Sequence, residues 1–156
     1  MESTVKFSQD FKVAEIGLTY KSAPDADSRP TITSSRLAYE MLLQTWDKDT
    51  LELQESFKVL LLNRASKVLG IYEVSQGSTC GTLVDPKLVF VAALKAAASS
   101  IIISHNHPSG STKPSEADKQ LTQKLNAGAQ LLDIQLLDHI IVTSEHYCSF
   151  ADEGLM

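Results

Sequence analysis

Apolar residues along this chain come in two patterns, and each predicts a different element. Short unbroken apolar runs mark strands buried on both sides, whereas apolar positions recurring every three to four residues mark helices with one buried face. Ser56–Leu62 and Ser100–Ser104 are runs of the first kind. Phe11–Tyr20 and Leu136–Val142 also read as strands, and Val68–Val74 returns through the polar turn Asn63–Lys67 as a hairpin partner. Three stretches carry the helical pattern. Thr33 or Ser34 can cap a helix running to about Trp46, with Leu37, Met41 and Leu42 on one face. Asp85 followed by Pro86 is a capping carboxylate with proline at the first helical position. It opens a helix to about Ala98, with Val89, Phe90, Ala93, Leu94 and Ala97 as its stripe. Pro114 and Ser115 open a third, with Ala117, Leu121 and Leu125 spaced by four and Gly128 as its stop. Lys21–Pro30 is polar, carries two prolines and reads as a loop. This mixture, with a hairpin embedded in it, predicts an α/β (α+β) domain: a mixed β-sheet flanked by helices.

Composition narrows the class. The 156 residues suit one domain, and 43% hydrophobic content supplies a core. No apolar stretch reaches the roughly 18 residues of a membrane span. Met1–Asp10 is polar and lacks the apolar core of a signal sequence. The expectation is a soluble, cytoplasmic protein with no membrane partner. The two cysteines, Cys80 and Cys148, are too few for a cysteine-based zinc site. Net charge is −5, and the basic residues, among them Lys58, Arg64, Lys67, Lys87 and Lys95, are scattered. Affinity for DNA phosphates comes from clustered Lys and Arg, so DNA is a weak candidate partner.

The candidate chemistry lies where the run Ser100–Ser104 ends. His105 and His107 are separated by one residue, and alternate side chains of an extended chain point the same way, so both rings can face one point. Asp118 follows after ten residues that include Pro108, Gly110 and Pro114, a stiff turning connection that can fold it back onto the histidines. Two imidazoles and a carboxylate with an open fourth position are the donor set of a catalytic zinc. Ser115 and Asp118 also have capping-box spacing, a purely structural use of the same acid. The histidine pair favours the metal, because packing seldom needs two histidines aimed at one point. His139, inside an apolar strand, reads first as a core histidine with a satisfied hydrogen bond and second as a support for the metal ligands. His146 and Cys148, beside Tyr147, have no nameable partner, and Cys80 sits in a Thr-Cys-Gly loop.

Beyond this reading from the residues, His105-x-His107-Pro108-Ser109-Gly110 with Pro114-Ser115-x-x-Asp118 resembles the JAMM motif of JAB/MPN metalloproteins. Its particular wording resembles the RadC family, with Val74-Ser75-x-Gly77, Val84-Asp85-Pro86, Leu137-Asp138-His139-Ile140-Ile141-Val142 and Gly154-Leu155 as further matches. The likeness covers about residues 50–156 and is weaker before that, so the expectation is a single domain over 1–156 with its JAMM core at 51–156. It leaves no room for the helix-hairpin-helix domain of long RadC proteins. The resemblance implies a cytidine deaminase-like fold with zinc at the JAMM residues. It also implies an upstream glutamate acting through water, for which Glu55 is the match and Glu52 the nearest competitor. In that scheme Zn2+ polarises a carbonyl and supplies hydroxide. Glu55 moves the proton, and Ser115 donates a hydrogen bond to the oxyanion while remaining a helix cap.

The function expected is zinc-dependent hydrolysis of a peptide or isopeptide amide, with a peptide or protein as substrate. The alternative is a non-enzymatic module associated with DNA repair or recombination. An inactive JAB scaffold ranks below both, since every expected ligand is present, and cytidine deamination fails for want of the P-C-x-x-C ligands.

Overall fold

Two strands occupy the middle of the molecule because their runs offer apolar side chains to both faces. The computed structural model describes residues 26–77 and 83–156. The strand expected at 11–20 and the loop around Cys80 lie outside them. Every residue of β1 (Ser56–Leu62) and β3 (Ser100–Asn106) is buried. They pair antiparallel, with Phe57 opposite His105 and Leu62 opposite Ser100. β2 (Val68–Gln76) adds antiparallel to β1, and β4 (Gln135–Val142) adds parallel to β3. A short β5 (Tyr147–Ser149) closes the far edge, giving the order β2-β1-β3-β4-β5 in a mixed sheet.

Helices cover both faces. Against one, Phe57, Val59, Leu61, Ile101 and Ile103 pack on Val89 and Ala93 of α2 (Pro86–Lys95) and on Leu125 and Ala129 of α3 (Glu116–Leu131). Against the other, Leu60, Leu62, Ile102, Ile140 and Val142 pack on Ala38, Tyr39 and Leu42 of α1 (Ser35–Gln44), with Trp46 and Leu51. The expected α/β architecture is therefore the observed one. No helix among the described residues is long and apolar enough to cross a membrane.

The caps are those the sequence calls for. Ser34, Asp85 and Ser115 each accept a backbone N–H of the first turn of α1, α2 and α3. The stops are not. Gly128 lies inside α3, and its missing Cβ is a packing device: a methyl there would stand 2.8 Å from the Phe90 ring of α2. α3 is closed instead just past its end by Asp133, in left-handed conformation at φ 54°, and α2, which stops short of Ala98, by Ala97 at φ 52°. At both ends the next amide reaches back, from Ile134 to the Ala129 carbonyl and from Ala98 to Ala93. This is the paired closure usually built on glycine. The exposed helix faces also differ from expectation. Leu37 and Leu94 lie toward solvent, while Thr122 is buried on the inner stripe of α3.

Candidate metal centre

β3 runs two residues further than its apolar run, through His105 and Asn106, because the ladder to β4 continues. Asn106 pairs with Val142, and the His107 amide still donates to the Val142 carbonyl at 3.1 Å. The chain then turns sharply. Pro108 takes the second position of a turn closed by Gly110 N–H on the His107 carbonyl at 3.0 Å, with Gly110 at φ 77°. Along the strand, His105 shares the face of Ile101 and Ile103 and so looks toward α3.

Asp118 meets the histidines from the first turn of α3. His105 Nε2 and His107 Nε2 are 2.9 Å apart. Asp118 Oδ1 is 3.3 Å from His105 Nε2, and Oδ2 is 3.7 Å from His107 Nε2. Donors about 2.0–2.1 Å from a tetrahedral ion stand about 3.3–3.4 Å from one another, so these three separations bracket a metal's coordination edge. Among the described residues, this trio is the group of donor side chains able to hold a metal. His105 is buried, whereas His107 and Asp118 are each partly open to solvent, which leaves one side for a further ligand.

Both readings of Asp118 hold together. It closes the capping box with Ser115: its Oδ2 accepts from the Ser115 amide and hydroxyl, both at 2.7 Å, and its own amide donates to Ser115 Oγ at 3.1 Å. Oδ1 is left to face His105. Burial pushes the Asp118 carboxyl up, but the neighbouring His105 and the hydrogen bonds from Ser115 outweigh it and hold the group well below the usual carboxylate range. A carboxylate is thereby presented ionised. The single Ser115 hydroxyl proton is committed to Asp118.

Hydrogen-bond direction fixes which nitrogen of each neutral ring carries its proton. A carbonyl can only accept, so His107 donates from Nδ1 to the Ser111 carbonyl at 2.7 Å and keeps a lone pair on Nε2. For His105 the argument starts further away. Thr122 Oγ1 gives its one proton to the Asp118 carbonyl at 2.7 Å. It must therefore accept from His139 Nδ1, also at 2.7 Å. The neutral His139 then accepts on Nε2 from His105 Nδ1 at 2.8 Å, leaving the lone pair of His105 on Nε2. Burial, and after it the neighbouring His105, push His139 well below its ordinary value, so it is neutral as the chain requires. His139 is thus a satisfied core histidine and at the same time the support of a candidate ligand. Its ring lies on Phe150, at a centroid separation of 4.5 Å. Phe57 stacks on His105.

Asp138 anchors this arrangement from the edge. It accepts from Ser149 Oγ at 2.6 Å and from the Ala151 amide at 3.0 Å, tying β5 and Phe150 to β4. Burial raises its carboxyl despite these bonds. Asp138 and Thr122 had no assignment from the sequence. The Asp138-His139 pair within the apolar run was the available signal for the first, and a polar residue on a buried helical stripe for the second. His146 contributes backbone bonds to Thr143 in the turn before β5. Cys148, in β5, is a free thiol, raised by burial.

The remaining candidates lie beside the trio rather than in it. Glu55 directly precedes β1, two residues before Phe57, the register partner of His105. That places it at the end of β1 nearest His105, outside the strand itself. It is not one of the three grouped donors. Glu52 is engaged elsewhere, its carboxylate accepting from Ser144 Oγ at 2.9 Å.

A family model for the RadC-like JAB domain matches residues 32–155. This chain belongs to the RadC-like JAB domain family. It is similar to a UPF0758 protein of Flavobacterium johnsoniae, 46% identical over 101 residues, covering 65% of this chain and 44% of that protein. A UPF0758 protein of Porphyromonas gingivalis is 43% identical over 130 residues, 82% of this chain and 56% of its own length. One of Trichodesmium erythraeum is 41% identical over 120 residues, 77% and 46% respectively. The chain thus spans about half the length of the curated relatives it matches. The JAB assignment accords with the five-stranded mixed sheet between helices and with a trio able to hold a metal.

Proposed function

We propose that this JAB domain is a zinc-dependent hydrolase that cleaves a peptide or isopeptide amide bond. One observation carries the reading: Nε2 of His105, Nε2 of His107 and the Asp118 carboxylate converge at a point open to solvent on one side. Two nitrogens and one oxygen are the donors preferred by zinc over harder cations. When bound there, zinc supplies Lewis-acid polarisation of a carbonyl and lowers the pKa of water to about 7.

The chain's own residues do the rest. His139 and Thr122 keep the His105 proton on Nδ1, and Ser111 does the same for His107. Glu55 takes a proton from the attacking water and returns it to the leaving amine. Standing outside the ligand trio suits a group that must exchange protons. Ser115 orients Asp118, and donates to the oxyanion of the tetrahedral intermediate once its hydroxyl leaves that carboxylate.

The test is Glu55→Gln against a panel of peptide and isopeptide substrates. The variant should keep its zinc while hydrolysis falls by at least about 100-fold, the contribution of a general base. Undiminished hydrolysis would remove Glu55 from the role. A fully zinc-loaded wild-type protein inert toward the whole panel would remove the reaction.

A further inference from the structure

Asn106 has no part in that chemistry, yet it is completely buried between the two histidines and its amide is saturated. Nδ2 donates to the carbonyls of Leu51 at 2.7 Å and Gln54 at 2.9 Å. Oδ1 accepts from the Ser56 amide at 2.7 Å and from Trp46 Nε1 at 3.1 Å. An amide has two N–H donors and one oxygen with two lone pairs, so nothing is left over. Rotating it by half a turn would set oxygen against two carbonyls, so the orientation is unique. Gln54 and Ser56 flank Glu55, and the Glu55 carbonyl accepts from the Gly77 amide at 2.7 Å. Asn106 therefore holds the backbone on both sides of Glu55. Strand alternation turns it to the opposite face from His105, toward Trp46 and Leu51 of the α1 layer. An aliphatic side chain of its size would leave two carbonyls and two N–H groups buried without partners.

We propose that Asn106 is a positioning residue that fixes the Glu55 segment to the strand carrying His105 and His107, so that filling the metal site also orders residues 51–56. Its functional meaning rests on Glu55 as the proton carrier, while the coupling itself is a property of the backbone. The experiment is residue-resolved amide exchange by NMR on the full chain, with and without added zinc. In wild type, zinc slows exchange at Ser56 and Gly77. Trp46→Phe, which spares the three backbone bonds, keeps that response. Asn106→Ala exchanges Ser56 about tenfold faster or more. It loses the zinc response at Ser56 and Gly77, yet still binds zinc stoichiometrically and keeps protection at Ile103 and Ile140. Should the alanine variant not fold, Asn106→Asp retains an acceptor for Ser56 but lacks the donors to Leu51 and Gln54, and is expected to lose the zinc response at Gly77. A zinc response that survives in the variant overturns the proposal, as does loss of protection spread evenly through β3 and β4. If the coupling is found while Glu55→Gln remains active, the positioning role stands and the proton-carrier role falls. If Glu55→Gln is inactive and no coupling is found, the reverse holds.

Discussion

The Nε2 atoms of His105 and His107 face each other at 2.9 Å, each with its ring proton committed on the far side. Two bare lone pairs at that separation repel, and a proton or a metal cation between them relieves the repulsion. The Asp118 carboxylate supplies a third donor and negative charge at the same point. The three donors thus form a group able to hold a cation, and the supporting bonds keep them in place.

The most remote support is Thr122, which reaches His105 only through His139. Thr122→Val keeps the shape but leaves His139 Nδ1 without an acceptor, so the tautomer of His105 is no longer dictated. Zinc affinity should fall about 10- to 100-fold, the usual effect of losing such a partner. Competition with a fluorescent chelator measures it, and an unchanged affinity would remove Thr122 from the site.

Acid should weaken the metal-free fold, and the sign follows from His139. Its folded-state value is pushed well below normal, by burial first and by His105 next, whereas the unfolded residue titrates near about 6.5. Below that pH the unfolded chain binds a proton that the folded chain does not. Stability therefore falls on acidification, by up to about 1.4 kcal/mol per pH unit for one such group. Asp118, held below the usual range, acts in the same direction from about pH 4 downward. Urea unfolding of metal-free protein between pH 7.5 and 5 should show the decline, and a flat profile would contradict it.

Gly128 should show a sign reversal. Gly128→Ala gains about 1 kcal/mol of helix propensity, but its methyl meets the Phe90 ring at 2.8 Å. Overpacking of that kind costs about 1–3 kcal/mol. The substitution should be neutral or destabilising alone and stabilising in a Phe90→Ala background, as a thermal-unfolding double-mutant cycle would reveal. The same sign in both backgrounds would dismiss the contact.

These residues also mark how far the sequence could be read. Ser56–Leu62 and Ser100–Ser104 were legible because a strand buried on both faces reads as a short, largely apolar run rather than an alternation. Ser34, Asp85 and Ser115 were legible because caps are local chemistry. The helix stops were not, since Ala97 and Asp133 adopt positive φ without the glycine that signals it, while Gly128 was kept for interhelical packing. β5, at three residues, carries no period to detect. At the site, His105, His107 and Asp118 could be named from spacing and residue type. Their support could not, because His139 meets His105 across 34 residues of chain and Thr122 across 17. A buried histidine looks the same in sequence whether its partner is a ligand or the core. Asp118 was posed as a choice between cap and ligand, and its two oxygens make the choice unnecessary.

Metal content tests the central claim most directly. Protein purified without chelator, measured by plasma mass spectrometry, should carry close to one zinc per chain, and His107→Ala should carry almost none while retaining its fold by circular dichroism. Stoichiometric zinc in a folded His107→Ala variant would contradict the account.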